Sequence, residues 1–477
     1  MKILFYNWVP IYKNGIGGGV AVYLKNIANF LKEKHSSDLE IVFFNSGFYY
    51  DKKNNNIRII KDQSYLGFDN YSIINSPLIA PHNEAKSGDF QNALKDENLK
   101  LVLKDFLIDT GPYDIIHFHS YEGLTPNILS LKKDFPDIKF IHSIHDYGIF
   151  CRNVKFWTYD NKNCVECGIN NSCVRCSLVQ EISPSLVHSS SRSIHHLNKN
   201  FYSSKFFNRL NNFIIRKIKK SLKILSGNHI FYPDDSIFKT YRKLLVDNIN
   251  NHIDKELAVS NRVKEIASNF GINENKLITS YIGTKVAEKV YPPQQINPDD
   301  FTILYMGYTS VQKGFLLYLS NLENLNNHIA KKINLRFASK FNDQKLLDRT
   351  KKLESKFKSI KIYNGYSHED LPMITQNVSL GVVPPIWEDN LPQVTMEMIA
   401  HGIPVLTGSY GGAHELNTNP LFTFGKKPFD LKNRIEYFFN NHELLIEYWK
   451  TSKPLTKMED HIKELLRIYD YKYKSEK

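Results

Sequence analysis

The sequence predicts an α/β protein of two domains, each a parallel sheet with helices on both faces. Three observations carry that expectation. The chain has 477 residues, too many for one hydrophobic core and suited to two domains of ordinary size. β-Rich runs alternate with amphipathic stretches in both halves, the pattern of crossover connections rather than hairpins. With 42% hydrophobic and 23% charged residues, the composition is globular.

The elements follow in order. Lys2 to Val9 reads as a buried strand, Gly15 to Gly19 as a glycine loop, Val20 to Lys34 as an amphipathic helix and Leu39 to Asn45 as a second strand. Tyr113 to His119 and Lys139 to His145 are β-rich runs with a helical segment between them. Residues 151–250 interrupt the rhythm with a Cys-rich and then a basic stretch, expected as an insertion in the first domain. The alternation returns at Glu256 to Ser260 and continues through Lys276 to Ile282, Phe301 to Met306, Leu335 to Ala338, Ile360 to Tyr363, Leu380 to Val383 and Pro404 to Thr407. The boundary is expected near Gly283-Thr284, giving a first domain over 1–283 and a second over 284–450. Residues 451–477 are expected to form a terminal helix crossing back to the first domain.

The apolar run at the N-terminus stops at Pro10, too short for a signal-peptide core, and no apolar stretch approaches the roughly 20 residues that span a bilayer. A cytoplasmic protein is expected. Its net charge of +13 comes from 62 basic and 49 acidic residues. Between Arg192 and Val246, twelve Lys or Arg face only Asp234 and Asp235, a local excess of +10. This argues for a local basic surface and against a general polyanion binder. Within it, Arg209, Arg216, Lys217 and Lys220 flank an apolar face of Phe207, Leu210, Ile214 and Ile218. Such a helix is suited either to an anionic membrane leaflet, meeting a lipid-linked acceptor there, or simply to an ordinary core.

All five cysteines fall between 151 and 176. Cys164-x2-Cys167-x5-Cys173-x2-Cys176 has the paired spacing of a four-thiolate structural zinc site; the alternatives are reduced thiols without metal and disulfides, which a cytoplasmic chain disfavours.

Gly17-Gly18-Gly19 follows a strand and opens a helix, so the backbone can approach a diphosphate at the helix N-terminus; a tight turn would need the same glycines. The most informative segment is Val383-Pro-Pro-Ile-Trp-Glu-Asp-Asn-Leu-Pro-Gln-Val-Thr-Met-Glu397, leading through Gly402-x-Pro404 to another strand. A loop carboxylate and the N–H groups after it can hold sugar hydroxyls and phosphate, while a carboxylate two turns along the helix can take a ribose diol. The alternative is that Asp389 or Asn390 caps the helix and Glu397 is solvated.

Together these segments resemble the retaining glycosyltransferases of family 4, which have the GT-B fold of two Rossmann-like doubly wound domains facing a cleft. Asp389 and Glu397 resemble the family's Glu-x7-Glu pair, Gly18-Gly19-Val20 its first-loop motif and His145-Asp146 its first-domain site. Lys313-Gly314 and Gly411-Gly412-Ala413-His414-Glu415 resemble two further motifs, in the right order along nearly the whole chain. The resemblance implies transfer of a sugar, with retention, from a UDP- or GDP-sugar to a glycan or lipid-linked acceptor, in polysaccharide or glycoconjugate synthesis. It implies that Glu397 binds the ribose, that Asp389 with the backbone of Asn390 and Leu391 holds the sugar, and that Lys313 neutralises the diphosphate near Gly18 and Gly19. His145 and Asp146 would stand beside the reacting sugar.

Two departures stand out. Where the family has Arg, five residues before the Lys, this chain has Tyr308 after Gly307, leaving Lys340 as a candidate substitute. Glu388, beside Asp389, has the expected residue type but not the spacing, so both are candidate catalytic carboxylates. No Asp-x-Asp triplet occurs, so no catalytic metal is expected. A GT-B nucleotide-sugar epimerase is the enzymatic alternative. A zinc-containing nucleic-acid-binding protein is another, disfavoured because the basic charge is local and no established nucleic-acid motif surrounds the cysteines, so no nucleic-acid partner is expected. If the four cysteines hold zinc, elemental analysis of the purified protein will find about one zinc per chain, lost when Cys164 and Cys173 become Ser; metal-free protein would contradict the zinc reading.

Overall fold

The computed structural model describes residues 1–13, 16–35, 38–51, 53–78, 80, 94–151, 154–158, 161–164, 179–180, 230–231 and 235–471. The basic stretch around residues 206–220 lies outside these, as do Cys167, Cys173 and Cys176; Cys164 is described and half-buried.

The first sheet contains β1 (Lys2–Tyr6), β2 (Glu40–Tyr49), β3 (Arg58–Lys61), β4 (Asp69–Ile74), β5 (Ile115–Phe118), β6 (Lys139–Ile144), β7 (Lys255–Ala258) and β8 (Leu277–Thr279). In space they run β8-β7-β6-β5-β1-β2-β4-β3, all neighbours parallel except the antiparallel edge pair β3 and β4. The second sheet contains β9 (Thr302–Met306), β10 (Asn334–Ser339), β11 (Ser359–Asn364), β12 (Leu380–Val383), β13 (Val405–Gly408) and β14 (Thr423–Phe424). Its order is β11-β10-β9-β12-β13-β14, parallel throughout. Every residue of β9, β12 and β13 is buried, as expected of central strands covered on both faces.

The helices used below are α1 (Gly18–Lys34), α2 (Glu97–Thr110), α3 (Asp235–His252), α4 (Asn261–Asn269), α5 (Phe315–Glu323), α6 (Gln344–Lys351), α7 (Gln393–Ala400), α8 (Asp430–Asn440) and α9 (Met458–Ile468). Helix α9 buries Met458, His461, Ile462, Leu465 and Leu466, and it lies against α1, where the Tyr23 hydroxyl meets His461 Nε2 at 2.6 Å. No helix among the described residues is long and apolar enough to cross a membrane.

Strand order locates the crevices. In a parallel sheet, ligands gather beyond the carboxyl ends of the strands where the winding direction reverses. In the first sheet that point is between β1 and β5, in the second between β9 and β12. The segments leaving these four strands are the glycine loop, the segment beginning at His119, the loop from Gly307 to Lys313 and the loop from Pro384 to Leu391.

Candidate functional site

At the second switch point two loops are bonded to each other. Ile386 N donates to the Gln312 carbonyl at 3.0 Å, and Lys313 Nζ reaches Asp389 Oδ2 at 2.5 Å while lying 5.1 Å from the centre of the Trp387 ring. Gly314 is the N-cap of α5, so Lys313 stands just before that helix. Asp389, Asn390 and Leu391 are buried. Pro392 holds the N-cap position of α7 and makes no side-chain cap bond, so neither Asp389 nor Asn390 is its N-cap residue; a helix N-terminus of this kind suits an anion. Glu397, about one turn into α7, is only 6% exposed and is therefore not a solvated helix residue.

Gly411 and Gly412 let this loop settle. Gly411 has φ of 69°, and a Cβ there would fall 2.0 Å from the Asp389 carbonyl oxygen; one on Gly412 would fall 2.2 Å from that of Asn390. The space is taken by backbone, and Gly412 N donates to the Asp389 carbonyl at 2.8 Å. Across the cleft, a Cβ on Gly19 would lie 3.6 Å from the Gln393 side chain, whereas one on Gly18 would meet nothing within 4 Å. The glycine loop thus faces the start of α7 with open space beside it.

Glu388 is placed differently from Asp389. Its side chain is 2% exposed, and both oxygens bond Arg262, from Nε at 2.9 Å and from a terminal guanidinium nitrogen at 2.9 Å. Gly411 N and Asn163 Nδ2 also donate to it, at 3.1 and 3.3 Å. Tyr308 is exposed, and its carbonyl accepts from the Tyr305 hydroxyl. Lys340 follows β10 directly and is exposed; the bond from Gly307 N to the Ala338 carbonyl places it beside the Lys313 loop.

His145 and Asp146 leave β6 on the first-sheet side. The next residue, Tyr147, is fully buried; burial first, then the Glu388 and Asp389 carboxylates, hold its phenol well above the usual range. Asp146 Oδ1 accepts from Gly148 N at 2.8 Å, and a polar pocket lies below, lined by His119, Glu122, His142, His145, Asp146 and Tyr241. His119 Nδ1 meets His145 Nε2 at 3.1 Å, and the His117 and His119 rings are 4.1 Å apart. His117 also contacts Ser143 Oγ and the Tyr469 hydroxyl, while Tyr23 packs on His119, His145 and His461. This histidine cluster was not anticipated beyond His145. The His117-x-His119 spacing, which sets both rings on one side of the extended chain at the end of β5, was the available signal.

Residues 286–452 match the family described as glycosyl transferases group 1. The structure as a whole has the fold of solved glycosyltransferases of the GT-B class. Anabaena HepE in complex with UDP aligns with a TM-score of 0.53 at 13% identity, covering 98% of this chain and 100% of that one. Sucrose-phosphate synthase from Thermosynechococcus elongatus gives 0.54 at 12% identity, covering 98% of each chain. The lipopolysaccharide outer core galactosyltransferase WaaB gives 0.53 at 12%, covering 98% of this chain and 99% of that one. No curated protein matches the sequence.

The histidine cluster makes stability depend on pH. Burial first, then His142 and His461, push the His145 imidazole down to about 3; burial takes His461 to about 4 and holds His117 and His119 well below their ordinary value. Below about pH 6.5 the unfolded chain binds protons on these rings and the folded chain does not. Their contribution is therefore complete above that pH and declines by about 1.4 kcal/mol per unit per histidine on acidification. Asp146, whose carboxyl burial pushes up, opposes this in part. The thermal midpoint should fall between pH 7.5 and 5.5, and less steeply in His119→Asn; a level or rising midpoint would contradict the cluster's neutrality.

Proposed function

We propose that this protein is a glycosyltransferase that moves a sugar from a nucleotide-diphosphate donor to a glycan or lipid-linked acceptor, with retention of configuration. The observation that carries the reading is the convergence of Lys313, Asp389, the backbone after it and buried Glu397 at the switch point of the second sheet, opposite the glycine loop. The match of residues 286–452 to group 1 glycosyl transferases supports it, as do the resemblance of the motifs and the UDP complex of HepE. The domain division follows the same reading, 1–283 on the acceptor side and 284–450 for the donor, with 451–477 returning to the first.

In this reading the diphosphate lies between Gly18, Gly19 and the start of α7, where the helix N-terminus and its dipole favour an anion. Glu397 accepts the two ribose hydroxyls. Asp389 and the N–H groups of Asn390 and Leu391 hold the sugar, with the Asp389 carboxylate also orienting Lys313. As the glycosidic bond breaks, negative charge grows on the diphosphate, and the ammonium of Lys313 stabilises it more than it does the bound donor. Burial keeps His145 neutral, so it offers a hydrogen bond rather than a cation to the sugar. The acceptor enters from the first-sheet side, over the polar pocket.

Mass spectrometry of products from a panel of UDP- and GDP-sugars tests the activity. Glu397→Gln should weaken donor binding by about ten- to a hundredfold in calorimetry, since an amide accepts through one oxygen only. Lys313→Ala should lower turnover more than affinity. Wild-type binding and transfer by Glu397→Gln would mean that the donor lies elsewhere.

A further inference from the structure

Two carboxylates from the second-sheet side converge on the start of α4, which belongs to the first. Ser260 caps that helix by accepting from Val263 N at 3.3 Å. Glu415 takes the open N–H groups of Asn261 and Arg262 at 2.9 and 2.7 Å and accepts from the Tyr281 hydroxyl at 2.6 Å. Glu388 takes the Arg262 guanidinium at two points. The fit between them is close, since a Cβ on Gly412 would fall 2.7 Å from Ser260 Cβ.

A carboxylate this deeply buried, with four donors on it, is committed; turning it to a sugar hydroxyl would break its two-point bond to Arg262 and leave its other donors unpaired. Asp389 is its chain neighbour, and Asp389 in turn holds Lys313. We propose that Arg262 is a positioning residue for the donor loop: its two-point bond to Glu388 sets where Asp389 and Lys313 lie, and makes that placement depend on α4 standing against residues 411–415. The carboxylate beside Asp389 is thereby assigned to holding the loop rather than to touching sugar. The kinetic consequence rests on the glycosyltransferase reading; the structural one does not.

The test is hydrogen exchange of the 386–391 backbone in the full chain without substrate, followed by kinetics. Arg262→Ala should speed exchange of this segment about tenfold or more, with other core strands unchanged. Arg262→Lys, which keeps the charge but not the fork, should fall between it and wild type. Glu265→Ala removes the other carboxylate on Arg262, 2.8 Å away, and should leave the segment as in wild type. Should Arg262→Ala fold poorly, Arg262→Ala with Glu388→Gln removes the stranded charge and should still exchange fast. In turnover, Arg262→Ala should lose about ten- to a hundredfold in kcat with donor KM changed less than about threefold, because loop placement matters most when the leaving group departs. Unchanged exchange at 386–391, or acceleration spread evenly over the chain in both the single and the double variant, would overturn the proposal. Fast local exchange in a protein that transfers no sugar would keep the positioning role and remove the glycosyltransferase reading.

Discussion

A charge buried out of water has to be answered inside the protein, and Glu388 is the charge on which this structure turns. Its two oxygens are filled by a guanidinium, a backbone N–H and an amide. The guanidinium comes from α4 and the amide from the segment after Cys151, both in the half that holds the first sheet, so satisfying the carboxylate requires the halves to meet. Breaking such a pair costs on the order of 3–5 kcal/mol because one charge is left stranded, while its net contribution when intact can be small. Its value is therefore in fixing an arrangement.

What it fixes is a loop with little freedom of its own. Residues 388–390 lie under Gly411 and Gly412, where any side chain would strike the Asp389 or Asn390 carbonyl. Lys313 is tied to the same loop through Asp389 and through Gln312 to Ile386. The groups that would meet a sugar and its leaving diphosphate are thus set by packing before any substrate arrives, which is the condition for electrostatic stabilisation without reorganisation.

Much of this was legible in the sequence. Central parallel strands announce themselves as runs such as Phe301 to Met306 and Leu380 to Val383, because both faces are buried and no charged residue interrupts them. The edge strand β3 and its neighbour β4 did not, since Arg58, Lys61, Asp69, Asn70 and Ser72 break the apolar pattern where one side is open or a polar network runs, as at Ser72 and Asp62. The Asp389 to Glu397 segment could be placed on a loop and helix from spacing alone, but its burial could not, because burial depends on what the rest of the chain brings against it. Arg262 and His461 were silent for the same reason, and Glu415, though part of a motif, gave no sign of its partners on α4. Arg262 and Glu388 are 126 residues apart, and His461 meets Tyr23 across 438. Sequence reveals the types of side chain, whereas partnership over such distances is set by the fold.

The central claim is that one site forms where the second switch point faces the glycine loop. Its most direct measurement is the hydrogen-exchange footprint of a saturating nucleoside diphosphate on the full chain. Protection should concentrate at residues 17–19, 307–314 and 387–397. Binding that protects a different surface and leaves all three segments unchanged would contradict the account.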